Sequence, residues 1–442
     1  MESDQLVVKS LGEATRPSPL QVITEDTFVE PDERTLISPY LAAARSAFSR
    51  GEEPASFEIA GPRRMLYFDP PRTRVAIASC GGISPGLNAV IRGLVMQLWH
   101  RYGTREIFGV RHGYGGLRSG SELMPLAPQE LRQAHEQGGT LLGTSRGTPP
   151  TSEIVDTLVE NGIDIFFPIG GDGTLRGALA IAEEIERRGL KIAVVGLPKT
   201  IDNDIPWVRR SFGFQTAVRV AAEAVRAAHT EATSVRFGIG LVKLMGRNAG
   251  FLAANAALAT GHANFCLIPE SPFALEGEDG LLALLERRLA SRSHALIVVA
   301  EGAGQQYFRE EDRPLDPSGN RKLGDIGLYM KQRIEQHFAM RGRPLTLKYI
   351  DPSYIVRSAP ADTWDALHCA RLAQNAVHAA MAGRTALLIG YWHGQMTHVP
   401  LAALRGERRT VNPNGELWWT VLESTGQPLK IGDPTLIETP TA

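Results

Sequence analysis

The sequence predicts an α/β fold built on mostly parallel sheet, and three observations carry that expectation. From Arg74 onward, short apolar runs alternate with long amphipathic stretches. Almost every unusual residue cluster follows one of those runs directly. The composition is that of a globular chain, with 442 residues that are 43% hydrophobic, 21% charged and 7% aromatic, enough length for two or three cores. Disorder, collagen and coiled coil are excluded as the main state.

Residues 1 to about 70 are rich in Pro, Glu, Asp and Ser. They read as an N-terminal extension outside the core, with one helical stretch over Ser38 to Arg50 that has Pro near its start. Its amphipathic pattern predicts docking on its own or a neighbouring subunit. The runs then follow in order: RVAIAS with a helix over Pro85 to Tyr102, DIFFPIG with a helix from Thr174, and KIAVVG. After these come VRFGIGLV with a helix over Gly246 to Thr260, then ALIVVAEG, LKYI and TALLIGYW. Strands that alternate with helices indicate βαβ units and a sheet covered on both faces. In such folds ligands sit at the carboxyl ends of the strands. The chain has no tandem repeat of fixed period and no low-complexity tract.

Forty-seven basic against forty-eight acidic residues leave a net charge of -1, so no whole-protein field recruits nucleic acid or an anionic membrane. An anionic ligand must be held by a local cluster. Three cysteines, Cys80, Cys266 and Cys369, are scattered without a CxxC pair, which fits a reducing compartment. The first ten residues carry acids where a signal peptide carries bases, and no apolar run approaches the roughly 18 residues that span a bilayer. A soluble cytoplasmic protein without a membrane partner is expected.

Three clusters have the residue types for phosphate chemistry. Ser79 to Asn88 (SCGGISPGLN) joins a strand to a helix, and its paired glycines let backbone N–H groups approach a phosphate at the helix N-terminus. The alternative is a tight structural turn. In Gly170-Gly171-Asp172-Gly173-Thr174, glycines flank a carboxylate suited to a Mg²⁺ ion that bridges phosphates; an N-cap aspartate is the alternative. Pro198 to Asp204 (PKTIDND) follows KIAVVG, with two carboxylates two residues apart. In an extended segment they point the same way, so one can accept a proton while the other orients it or meets metal through water. A solvated turn is the alternative. Cations come from Arg146 in LGTSRG, from Arg247 at what reads as the first turn of a helix, and from Lys348 and Arg357, with Tyr354, in LKYIDPSYIVRS; taken singly, a solvated charge is the alternative for each. Glu301 ends ALIVVAEG and can accept a sugar hydroxyl. No HExxH or GxSxG pattern is present.

Together, GGISPGLN, LGTSRG, GGDGT, PKTIDND, SFGFQTA, LVKLMGRNAG, AEGAG and YIDPSYIVR, in this order between Arg72 and Gln395, resemble the phosphofructokinase family. The likeness is to its long ATP-dependent members, in the branch that also contains pyrophosphate-dependent enzymes. The resemblance implies two doubly wound, mostly parallel-sheet domains with the active site in the cleft between them. The ATP-binding domain is expected over 71–213 plus 356–406, the sugar-phosphate domain over 214–355 plus 407–442, and the extension over 1–70. The reaction it implies is phosphorylation of fructose 6-phosphate by ATP with Mg²⁺, in glycolysis, by a homo-oligomer, dimer or tetramer. It further implies that Asp202 is the general base, with Arg247 near the transferred group, and that Asp172 holds the metal. Gly81, Gly82, Arg146, Gly147, Gly171, Asp172, Gly173 and Thr174 would cradle ATP. Thr200, Ile201, Asp202, Met245, Gly246, Arg247, Glu301, Lys348, Tyr354 and Arg357 would bind the sugar phosphate. Donor choice turns on Gly173 and Lys199. Pyrophosphate-dependent relatives carry aspartate at the position of Gly173, where a carboxylate repels the α-phosphate of ATP. Lys199 favours pyrophosphate but also occurs in long ATP-dependent members, so the glycine points to ATP. Pyrophosphate dependence and a catalytically silent regulatory subunit are the alternatives. A nucleotide-binding kinase of the NAD or lipid type shares only GGDGT.

Overall fold

The computed structural model describes residues 6–22, 24–121, 123–145, 147–309, 311, 313–315, 321–406 and 408–434. The chain divides into two compact units. One comprises Met1–Thr200, Ile205–Gly213 and Ser358–Glu407, the other Ile201–Asp204, Phe214–Arg357 and Arg408–Ala442.

In the first unit, nine strands among the described residues form one sheet. Its order is Arg34–Leu36, Ser56–Ile59, Gln395–Pro400, Leu387–Trp392, Ala193–Pro198, Ile165–Gly170, Arg74–Ser79, Glu106–Val110 and Met124–Pro125. The run from Leu387–Trp392 to Glu106–Val110 is parallel, with antiparallel strands at both margins. Alternation along Arg74–Ser79 sends Val75 and Ile77 to one face, under the helices Leu87–Gln97 and Thr363–Met381. Ala76 and Ala78 face the other way, under Thr151–Glu160 and Asp172–Arg187. Burial on both faces explains why these strands read as continuous apolar runs.

The second unit repeats the plan with four parallel strands, in the order Phe265–Leu267, His294–Ala300, Gly238–Leu244 and Thr346–Ile350. Helices Phe214–Thr233 and Phe251–Thr260 pack on one face, Leu281–Arg292 and Ile326–Met340 on the other. Among the described residues, no helix is long and apolar enough to cross a membrane.

Several expectations are corrected. Residues 1–70 are not an extension outside the core: Arg34–Leu36 and Ser56–Ile59 widen the large sheet, and Phe57 and Leu66 are fully buried. The Glu58–Arg63 ion pair, at 2.8 Å, is buried as well. Short margin strands carrying Arg34 and Glu58 lack the unbroken apolar signature of the central ones. The helix of this segment is Leu41–Ser49, and Ala47 is its buried residue. The helix expected over Pro85 to Tyr102 is α-helical over Leu87–Gln97 and continues as a π turn over Leu98–Tyr102. The helix expected from Gly246 starts at Phe251, because Gly246 has φ +129°, far from helical backbone. Arg247 therefore lies in a loop. The helix after DIFFPIG starts at Asp172, two residues earlier than expected.

Candidate functional site

At the carboxyl ends of three adjacent strands in the first unit, glycine loops close on one another. Gly81, at φ +75°, needs the left-handed backbone that glycine adopts freely. A Cβ there would lie 3.6 Å from Lys199 Nζ and 3.9 Å from Thr174 Oγ1. Lys199 is 6% exposed, and its ammonium donates to the Gly82 carbonyl at 2.5 Å. A Cβ on Gly171 would stand 3.3 Å from the Lys199 carbonyl. Gly81, Gly82, Gly171, Thr174 and Lys199 thus gather at one place. Thr144 Oγ1 donates to the Gly81 carbonyl and joins the LGTS loop to it. Gly147 is at φ +93° with open space at its Cβ position, and Arg146 lies outside the described residues.

Asp172 and Gly173 open the helix Asp172–Arg187, where the dipole favours anions. The Asp172 side chain is 9% exposed and pairs with Arg176 Nε at 3.1 Å. Gly173 is exposed, and no atom lies within 4 Å of where its Cβ would be. Tyr114 supports the turn by donating to the Thr174 carbonyl at 2.8 Å. Burial pushes the neighbouring Cys80 thiol up to about 12, so it is no nucleophile.

PKTIDND is shared between the units, with Lys199 and Thr200 in the first and Ile201 to Asp204 in the second. The Thr200 carbonyl accepts from Ser211 Oγ at 2.8 Å. Ile201 is 6% exposed, with its side chain in the core of the second unit. The expected extended segment is absent. Asn203 has φ +55°, which breaks the alternation, so Asp202 and Asp204 do not share a direction by pleating. Asp202 is half-buried and Asp204 buried. Arg409 fixes this turn, donating through its N–H to the Asp204 carbonyl at 3.0 Å and through Nη1 to the Asn203 carbonyl at 3.2 Å.

At the strand ends of the second unit, Glu301, Arg247 and Arg357 interact electrostatically with one another's surroundings. Burial pushes the Glu301 carboxyl up, while Lys243, Arg247 and Arg357 pull it down and Asp351 raises it. The Glu301 N–H donates to the Leu244 carbonyl at 2.8 Å, and the Gly302 N–H to the Gly246 carbonyl at 3.1 Å, which anchors the Met245-Gly246-Arg247 loop. Met245 packs partly against the core, and Arg247 Nη2 donates to the Arg321 carbonyl. Arg357 Nε is buried without a hydrogen-bond partner.

Two residues expected in this set are exposed. Lys348 is exposed and pairs with Glu231 on the helix Phe214–Thr233 at 3.4 Å, because strand alternation turns it toward that face. Tyr354 is 81% exposed, and its ring lies 6.0 Å from the Arg357 guanidinium. Lys243 and Asp351 were not foreseen. The signal was present, since Lys243 is a charge inside an otherwise apolar strand.

The sequence profile described as Phosphofructokinase matches residues 74–380. An ATP-dependent 6-phosphofructokinase of Borreliella burgdorferi is 52% identical over 387 residues, 86% of this chain and 87% of that protein. One of Amycolatopsis methanolica is 45% identical and covers 97% of this chain and 96% of its own. Among solved structures, a pyrophosphate-dependent phosphofructokinase of Marinobacter aquaeolei superposes with a TM-score of 0.66 at 20% identity, covering 82% of this chain and 92% of its own. At that identity the likeness speaks for the fold alone.

Proposed function

Because this chain belongs to the phosphofructokinase family, we propose, residue by residue, how it transfers the γ-phosphoryl group of ATP to fructose 6-phosphate in glycolysis. Asp202 takes the proton of the 1-hydroxyl as that oxygen bonds to the γ-phosphorus. The bond from phosphorus to the β–γ bridging oxygen breaks, leaving fructose 1,6-bisphosphate and ADP. General-base assistance of this kind contributes about 10²- to 10⁴-fold. Most of the acceleration comes from holding the reactants in line and neutralising charge on the equatorial oxygens.

ATP lies along the glycine loops, from Gly81 and Gly82 to Gly147 and to Gly171 through Thr174, with Arg146 as an added cation. Asp172 would hold Mg²⁺. The residues fit this ion: a mostly buried carboxylate, paired with Arg176 Nε at 3.1 Å, stands at a helix start. Such a hard oxygen donor suits Mg²⁺, which would supply charge neutralisation for the phosphates of ATP. Arg247 meets the transferred group and the sugar phosphate, with Met245 and Gly246 on its own loop, and the Thr200 and Ile201 backbone also binds the sugar phosphate. Glu301 accepts a sugar hydroxyl. Arg357, Lys348 and Tyr354 take the 6-phosphate.

The observation that carries the donor reading is Gly173, an exposed glycine with open space around its Cβ position on the first helical turn. The α-phosphate of ATP can pass there. We further infer a homo-oligomer, because Tyr40, Leu41 and Phe48 expose 74%, 63% and 66% of their surface on and beside one helix. Three buried free cysteines support a reducing, cytoplasmic setting. The test is to supply fructose 6-phosphate with ATP or pyrophosphate and identify the products. Bisphosphate and ADP are expected with ATP. Turnover with pyrophosphate alone makes Lys199 the better guide.

A further inference from the structure

Lys243 is the one charged residue of the strand Gly238–Leu244. Its side chain is 12% exposed, and its ammonium meets Asp351 Oδ2 at 2.9 Å and Asp325 Oδ2 at 3.3 Å. Both aspartates begin helices. Asp325 caps Ile326–Met340, where its Oδ1 accepts from the Leu328 N–H at 3.1 Å. Asp351 Oδ1 accepts from the Ser353 N–H at 3.1 Å and from Ser353 Oγ at 2.5 Å, at the entry to Ser353–Ser358. One oxygen of each carboxylate therefore accepts hydrogen bonds at a helix start while the other meets the same ammonium.

The second of those helices carries Tyr354 and Arg357. Arg357 Nε is buried without a hydrogen-bond partner, and its guanidinium lies 6.0 Å from the Tyr354 ring on the same helix. Lys243 pairs in register with Val299, near the end of the strand that runs into Glu301, and it acts electrostatically on that carboxyl. Burial opposes charge on Lys243, but the Asp351 hydrogen bond, with Tyr349, Asp351 and Asp325 nearby, outweighs it and keeps the ammonium protonated.

We propose that Lys243 is a positioning residue for the sugar phosphate, holding the Arg357 helix through Asp351, so that the cation is in place before the substrate arrives. This rests on the reading that Glu301 and Arg357 bind fructose 6-phosphate. The groups acting on Glu301 are Lys243, Arg247, Arg357 and Asp351, so loss of Lys243 raises its carboxyl further and loss of Asp351 lowers it.

The test uses the full chain and Lys243→Met, Lys243→Arg and Asp351→Asn, with wild-type turnover measured first. Lys243→Met should raise KM for fructose 6-phosphate about tenfold, with kcat within about threefold and KM for ATP unchanged. The acid limb of kcat/KM should move to higher pH. Lys243→Arg should recover most of the affinity. Asp351→Asn keeps a capping side chain but loses the ion pair; it should raise the same KM while the acid limb moves to lower pH. An unchanged sugar KM in Lys243→Met, or equal losses for both substrates, overturns the inference. Should that variant fail to fold, Asp351→Asn decides alone, and an unchanged KM overturns it. An inactive wild type overturns the sugar-phosphate reading and this inference together, whereas an active wild type with indifferent variants overturns the inference alone.

Discussion

The strand ends of the first unit run into loops in which Gly81, Gly82, Gly171 and Gly173 leave the backbone bare, with the buried cation Lys199 crossing between two of the loops. The strand ends of the second unit run instead into side chains of both signs, Arg247, Glu301, Asp351 and Arg357. The same parallel plan thus supports two different grips. A polyphosphate chain repeats one kind of acceptor, so bare backbone and helix N-termini suit it. A sugar phosphate presents hydroxyls at one end and an anion at the other, and it needs an acceptor beside cations. Substitutions in the first unit should therefore disturb use of the nucleotide, and those in the second should disturb use of the sugar.

Asp202→Ser carries the largest expected effect. It should lower kcat about 10²- to 10⁴-fold while KM for fructose 6-phosphate stays nearly constant, because a general base acts in the transition state. Steady-state kinetics with an unchanged kcat would remove Asp202 from that role. Asp172→Ala comes next: activity should require roughly tenfold more Mg²⁺, with the sugar KM untouched. Identical Mg²⁺ titration curves for both proteins would contradict the metal assignment. Gly81→Ala should be milder, raising KM for ATP several-fold, since its methyl group would face Lys199 Nζ at 3.6 Å on a backbone at φ +75°. A rise in the sugar KM instead would break the division of labour between the units.

The smallest effect concerns pH. The Glu301 carboxyl is raised above the ordinary 4.5 by burial, against the pull of Lys243, Arg247 and Arg357. In the proposed role its carboxylate accepts a hydrogen bond from a sugar hydroxyl more strongly when ionised, so affinity for fructose 6-phosphate should fall with acidity beginning above the pH at which an ordinary glutamate titrates. Glu301→Gln should flatten that limb and leave the pH dependence of KM for ATP alone. A limb that persists in Glu301→Gln assigns the titration to another group.

Much of this division could be read along the chain, and the reason is physical. DIFFPIG, KIAVVG and ALIVVAEG are strands buried on both faces, so periodicity and composition agree, and the loops after them hold the phosphate-type residues. The margins were harder to read. Arg34–Leu36 and Ser56–Ile59 are short and carry charge, and the buried Glu58 has Arg63, Arg384 and His398 beside it, a long-range arrangement that no local pattern reveals. Backbone conformation was also hidden: φ +129° at Gly246 delays the helix to Phe251, and φ +55° at Asn203 turns Asp202 away from the alternation assumed for it.

The central claim is that the first unit admits a nucleotide because Gly173 leaves room for it, and the ratio of kcat/KM for ATP and pyrophosphate in wild type and Gly173→Asp tests it most directly. The position is exposed, with nothing within 4 Å of the new Cβ, so the substitution adds charge without crowding the fold. Like charges forced together cost several kcal/mol, against about 1.4 kcal/mol for each tenfold in rate. The wild type should use ATP and favour it strongly, and Gly173→Asp should lose ATP activity at least tenfold more than any pyrophosphate activity. A wild type that prefers pyrophosphate, or a Gly173→Asp protein that keeps its full ATP rate, would contradict the account.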